Sequence, residues 1–209
     1  MTLNSQAQMI LDMVAKAEVE GAPSPGDVSA VELRENFKNT RASLTPDTPE
    51  VGRVEDFYIQ SQGVSIPVRY YRPVGSDLNY SLPLLIYFHG GGWVVGDKET
   101  HDVICRMLAN WGQFSVINVD YRLAPENKFP AAVEDAWAVF KWAKSGADGG
   151  IIDIKNVAVG GDSAGANLAA VVAIQGSMNA GTTALVCALA GIPTLSIDME
   201  GVSKSRLYE

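Results

Sequence analysis

The order of apolar and polar residues divides the chain into parts with different rhythms. Up to about residue 45 the spacing is helical. Ile10, Met13, Val14 and Ala17 fall on one face, and Ala22-Pro23-Ser24-Pro25-Gly26 breaks the run. Ser29-Ala30-Val31-Glu32 is a capping-box pattern that opens a second helix through about Asn39. Thr45-Pro46-Asp47-Thr48-Pro49 reads as a linker. Residues 54–59 and 66–71 then read as strands. The second alternates Ile, Val and Tyr with Pro, Arg and Tyr, and Ser61-Gln62-Gly63 between them predicts an antiparallel hairpin. From Pro83 buried strands alternate with helices. Residues 84–88, 114–119, 157–159 and 184–189 read as strands. Residues 100–111, 130–142 and 164 to about 178 read as helices, the second with Pro130 in its first turn.

Strand–helix alternation with apolar strands predicts an α/β fold, a mostly parallel sheet with helices on both faces. The N-terminal hairpin adds an antiparallel pair. The expected organisation is a helical segment over 1–45 and an α/β core over 50–209, with 184–189 as the last strand of the sheet.

Composition narrows the function classes. The chain has 209 residues, 47% hydrophobic and 19% charged, enough for one domain with a core. A net charge of −8 argues against binding nucleic acid or an anionic membrane through bulk charge, and suits a neutral small substrate. Cys105 and Cys187 form no CxxC pair, so a zinc site or disulfide framework is not expected and both read as small buried hydrophobes. No metal or cofactor motif is found. The first residues lack a basic n-region and a long apolar stretch, and the longest apolar runs fall short of a membrane span. The cytoplasm is the default compartment. Oligomeric state is not encoded in any pattern found.

Two glycine-rich segments carry chemistry. Gly161-Asp162-Ser163-Ala164-Gly165 lies between a strand and a helix, the context in which Gly-x-Ser-x-Gly forms a sharp turn that lifts a serine hydroxyl above a sheet. Glycines 161 and 165 leave out the Cβ atoms that would clash as the chain doubles back. His89-Gly90-Gly91-Gly92-Trp93 follows the strand 84–88 directly. Consecutive glycines let backbone N–H groups approach a substrate oxygen, which becomes an oxyanion when serine attacks an acyl carbon. A glycine-rich turn without chemistry, or a flexible linker, would need neither these flanking elements nor this order.

On these residues the chain resembles the hormone-sensitive-lipase-like family of α/β-hydrolase carboxylesterases (fold-3). His89-Gly90-Gly91-Gly92-Trp93 is similar to its oxyanion motif. Residues Gly160-Gly161-Asp162-Ser163-Ala164-Gly165-Ala166-Asn167 are similar to its nucleophile motif. Asp120-Tyr121-Arg122-Leu123-Ala124-Pro125-Glu126 and Phe129-Pro130-Ala131-Ala132-Val133-Glu134-Asp135 are similar to the segment between, as is Thr100-His101-Asp102 opening a helix. The resemblance implies hydrolysis of small neutral carboxylic esters without a cofactor. It implies Ser163 as nucleophile and Gly91, Gly92 and Ala164 as oxyanion donors. His89, Gly90, Gly161, Asp162 and Gly165 would support the two motifs, and residues 1–45 would cap the site.

In this fold the catalytic residues run in the order Ser, acid, His. After Ser163 the chain holds Asp198, Glu200 and Glu209 but no histidine, and His89 and His101 both precede it. His89 belongs to the glycine loop, and His101 reads as a helix cap or surface contact. Asp162 belongs to the turn and Asp198 comes too early for the acid. The expectation is therefore a chain that stops short of its acid and base, lacking the last strands and about 60–100 residues, with little or no activity by itself. The alternative is a non-catalytic protein that binds a small ligand on the same scaffold.

Overall fold

The computed structural model describes residues 4–19, 27–77, 79–146, 150–178, 184–188 and 195–197. Two helices come first, α1 (Ser5–Val19) and α2 (Ala30–Leu44). The capping box is realised: the Ser29 hydroxyl accepts the Glu32 N–H, and the Glu32 carboxylate accepts the Ser29 N–H. With no glycine or proline before Pro46, α2 runs past Asn39 to Leu44. No residue of α2 is buried, and Met9 and Met13 of α1 are more than half exposed, at 57% and 54%. The side chains of Ile10, Val14 and Ala17 lie outside the described residues.

Strands β1 (Arg53–Ser61) and β2 (Val64–Arg72) form the expected hairpin, with Ser61 opposite Val64. Then come β3 (Leu82–Phe88), α3 (Asp102–Gly112), β4 (Ser115–Val119), α4 (Ala131–Ser145), β5 (Ile152–Gly161), α5 (Ala164–Met178), β6 (Ala184–Ala188) and β7 (Leu195–Ile197). One sheet takes the order β1-β2-β4-β3-β5-β6-β7. The ladders β4–β3, β3–β5 and β5–β6 are parallel, whereas β1–β2, β2–β4 and β6–β7 are antiparallel. The expectation that the sheet ends on the strand at 184–189 needs correcting. β7 pairs with β6 on that side, and three residues, Leu195, Ser196 and Ile197, are too short a run to announce a strand. The candidate acids Asp198, Glu200 and Glu209 lie outside the described residues.

Strand pleating sorts the core. Leu84, Ile86 and Phe88 point to the face covered by α4 and α5, where they meet Ala136, Val139, Leu168 and Val172. Leu85 and Tyr87 point to the opposite face, where Cys105 and Ala109 of α3 pack. Helices on both faces leave β3 and β4 dry on either side, which explains the unbroken apolar run of residues 84–88 in β3.

The segment between β4 and α4 is tied down by a charge pair whose carboxylate is buried and whose guanidinium is partly exposed. Asp135, 1% exposed, accepts the Arg122 backbone N–H at 2.9 Å and the guanidinium through both carboxylate oxygens at 2.8–3.0 Å. This bond joins the two motif segments found in the sequence. Asp135→Ala would leave the Arg122 N–H without its acceptor and the guanidinium with only Ala131 O and Glu134, at a cost of about 2 kcal/mol. A urea midpoint that does not move would refute this role. Among the described residues no helix is long and apolar enough to cross a membrane.

Candidate active site

β3 is followed by β4 on one side and is paired by β5 on the other, so the chain reverses its winding at the β3/β5 boundary. In such sheets a crevice opens at the C-terminal ends of the strands where the order reverses. Phe88 and Gly161, the last residues of the two strands, sit opposite each other. The residues that follow them, His89 to Trp93 and Asp162 to Gly165, therefore meet above the same edge. All the site residues expected from sequence lie in these two segments or end the strands beneath them.

Ser163 occupies the left-handed region, φ +50°. Such a conformation costs a non-glycine residue about 1 kcal/mol or more, and the surroundings enforce it here. Asp162 O accepts the N–H groups of Gly165 and Ala166 at 2.8 and 3.3 Å, and Ser163 O accepts that of Asn167 at 3.2 Å. The helix thus begins immediately, with Ser163 exposed at its N-terminus and Ala164 buried behind it. Gly165 presses on the end of β3: a Cβ there would lie 1.8 Å from the Phe88 carbonyl oxygen.

The glycine loop is shaped from below. His89 is fully buried, stacks on Tyr121 at 4.3 Å, and places Nδ1 2.8 Å from Gly90 O. The Tyr121 hydroxyl donates to His89 O at 2.6 Å. Gly90 lies so close to the turn that a Cβ would meet Asp162 Oδ2 at 2.2 Å. Its N–H donates to Asp162 Oδ1 at 2.9 Å, and the Tyr87 hydroxyl donates to the same oxygen at 2.8 Å. Beyond it the backbone of Gly91, Gly92 and Trp93 takes φ of +129°, +58° and +59° and comes to the surface. Gly91 O accepts the N–H groups of Val94 and Val95 at 3.0 and 2.9 Å, which closes the loop on itself.

His101 departs from the sequence reading. It precedes α3 but caps nothing, and its ring is 3% exposed rather than at the surface. It lies 5.4 Å from the His89 ring, with Nε2 3.4 Å from Asp162 Oδ1. Burial would raise the Asp162 carboxyl, but His101, Tyr87 and the Gly90 N–H outweigh it and hold the group down at about 2. The side chain beside Ser163 is thus a carboxylate engaged in tying the two motifs together. Tyr87, Tyr121 and His101 were missed from sequence as parts of the site. Strand alternation places Tyr87 inward, but only the fold brings its hydroxyl to Asp162.

A cleft of about 660 Å³ lies over α3, between α2 and the core, with Phe37, Leu44, Met107, Tyr87, His101 and Asp162 on its walls. A smaller cavity of about 360 Å³ adjoins Gly92 and Trp93 and is bounded by Phe129 and Val133. Both are mainly apolar.

Burial pushes the His89 imidazole down to about 4. The folded value lies below the ordinary 6.5, so as pH falls the unfolded chain takes the proton first. His89 therefore costs stability progressively between pH 6.5 and 4, about 3 kcal/mol in full. Asp120, raised by burial to about 6, acts in the opposite sense over part of that window. The His89 share is isolated by comparing unfolding of the wild type and His89→Asn at pH 7 and pH 4.5. Equal pH dependence in the two would contradict it.

Residues 85–207 match a protein family described by the α/β-hydrolase fold. The carboxylic ester hydrolase LipN of Mycobacterium tuberculosis is 49% identical over 120 residues, 57% of this chain and 31% of that protein. The arylesterase of Saccharolobus solfataricus is 36% identical over 175 residues, 84% of this chain and 55% of its own. Among solved structures, an ester hydrolase from the metagenome of Lake Arreo, complexed with a bipyridine phosphonate derivative, superposes with a TM-score of 0.81 at 37% identity, covering 87% of this chain and 58% of that one. The chain thus spans about a third to three fifths of the length of these relatives.

Proposed function

Because the chain belongs to the α/β-hydrolase fold family, we propose that it carries the nucleophile and oxyanion half of a serine carboxylesterase. The observation that carries this reading is the exposed Ser163 in a left-handed turn, with its neighbour Asp162 bonded to the glycine loop that follows β3. In the proposed reaction Ser163 Oγ attacks the acyl carbon of a small neutral ester. The N–H groups of Gly91, Gly92 and Ala164 receive the oxyanion, and the N-terminus of α5 favours the negative charge. His89, Gly90, Gly161, Asp162 and Gly165 hold these groups in place. No cofactor is needed. Domain roles follow the same reading, with residues 1–45 capping a core that begins near residue 50, in the cytoplasm.

Serine is a weak nucleophile without a base. His89 and His101 are both buried beneath the loop, which speaks against either as base. We assign the acid and base to residues outside 1–209, in keeping with the greater length of the relatives. Losing the base of such a triad costs about 10⁴- to 10⁶-fold in turnover. Hydrolysis of p-nitrophenyl butyrate by residues 1–209 is therefore expected to fall at least about 10⁴-fold below that of the gene product as translated. Equal, Ser163-dependent rates would place the base within 1–209. A gene product that holds an ester without turning it over would favour the non-catalytic binding reading instead.

A further inference from the structure

The loop bearing the proposed oxyanion donors is held at both ends, by different parts of the chain. Its first glycine is held from the core, by Asp162. Its far end is held by α2. Arg34 Nε donates to Val94 O at 2.7 Å, and Nη2 donates to Ala124 O at 2.8 Å. The guanidinium also forks onto Glu126, with contacts of 2.9 and 2.6 Å. Ala124 in turn donates its N–H to Trp93 O at 2.8 Å. One side chain therefore spans the two backbone segments that brace Gly91, Gly92 and Trp93. Because Val94 and Val95 both bond back to Gly91 O, a shift of the Val94 peptide moves Gly91 with it.

The chemistry of the side chain matters here. A planar guanidinium can serve two carbonyls and a carboxylate at once, which a lysine ammonium on its flexible stem cannot reproduce. α2 contributes no fully buried residue, and Leu33, Arg34 and Phe37 are half-buried, so the polar latch carries more of the alignment. Glu126 is exposed at the far side of the guanidinium and orients it.

We propose that Arg34 is a positioning residue for the oxyanion loop: it fixes the Gly91–Trp93 backbone through Val94 and Ala124, and so links α2 to the reaction. The inference rests on the esterase reading above.

Two measurements test it. In residues 1–209, Arg34→Ala is expected to speed amide hydrogen exchange at Val94 and Val95 at least about tenfold, with residues 84–88 unchanged. In the gene product as translated, the same substitution is expected to lower kcat for p-nitrophenyl butyrate about 10- to 100-fold, with KM held within about twofold. Arg34→Lys should recover part of both. Lys38→Ala, which removes another contact of α2, 3.3 Å to Asp97, should change neither. Unchanged exchange in Arg34→Ala overturns the proposal, as does a kcat loss that Lys38→Ala reproduces. Absent turnover in the wild type would sink the esterase reading instead, and the exchange measurement would still decide this one.

Discussion

Replacing Ser163 by alanine in the gene product as translated is expected to lower kcat for p-nitrophenyl butyrate by about 10⁶-fold, with the fold intact. The hydroxyl is the only group removed. Alanine has to adopt the same left-handed φ of +50°, at a cost similar to that already borne by serine. Ser163 is exposed and its side chain fills no core space, so the thermal transition should move by no more than a few degrees. The residual rate would come from the N–H donors and substrate binding alone. A variant retaining a tenth of the activity would mean that water, activated elsewhere, attacks the ester directly.

Gly165→Ala is expected to have the largest effect on stability. Two tendencies oppose each other. Alanine is a better helix former than glycine by about 1 kcal/mol, and Gly165 lies in the first turn of α5. Against this, the new Cβ would meet Phe88 O at 1.8 Å, Phe88 C at 2.5 Å and His89 O at 2.6 Å. These are backbone atoms at the end of a central strand, which cannot swing aside as a side chain would. Relief requires α5 to lift from β3, pulling Leu168, Ala169 and Val172 out of the core. The clash wins, at a cost upward of about 4 kcal/mol, or a fall in Tm of about 10 °C or more. A Tm that rises, as helix propensity alone would have it, would show that the turn is not packed this tightly.

Much of this architecture is legible in the sequence where one physical rule acts alone. Residues 84–88 are apolar without interruption because helices cover both faces, and the run identifies β3 within two residues. The turn at Gln62 and Gly63, both with positive φ, marks the hairpin. The two glycine segments stand out because each follows a strand, and the fold brings them together as expected.

Legibility fails where tertiary contacts override the local pattern. β5 starts at Ile152, not Val157; Asp153, Lys155 and Asn156 interrupt its apolar rhythm at a register shift against β3, which hides its first half from a local reading. α4 continues three residues past Trp142 to Ser145, where Gly146 at φ +72° ends it. His101 reads as a cap or surface contact because, in sequence, it stands at the start of a helix. Its burial follows from the meeting of three strand and helix ends, which no local window contains. Arg34 is invisible for the same reason, since its acceptors are 60 to 92 residues away in the chain.

The most direct test of the central claim is covalent. The gene product as translated would be treated with a fluorophosphonate, digested and mapped by mass spectrometry, with ester hydrolysis followed in parallel. The expected result is a single adduct on Ser163, absent from Ser163→Ala, whose formation tracks the loss of hydrolysis one for one. Hydrolysis that persists in the fully labelled protein, or an adduct on any other residue that abolishes it, would contradict the assignment of Ser163 as the nucleophile.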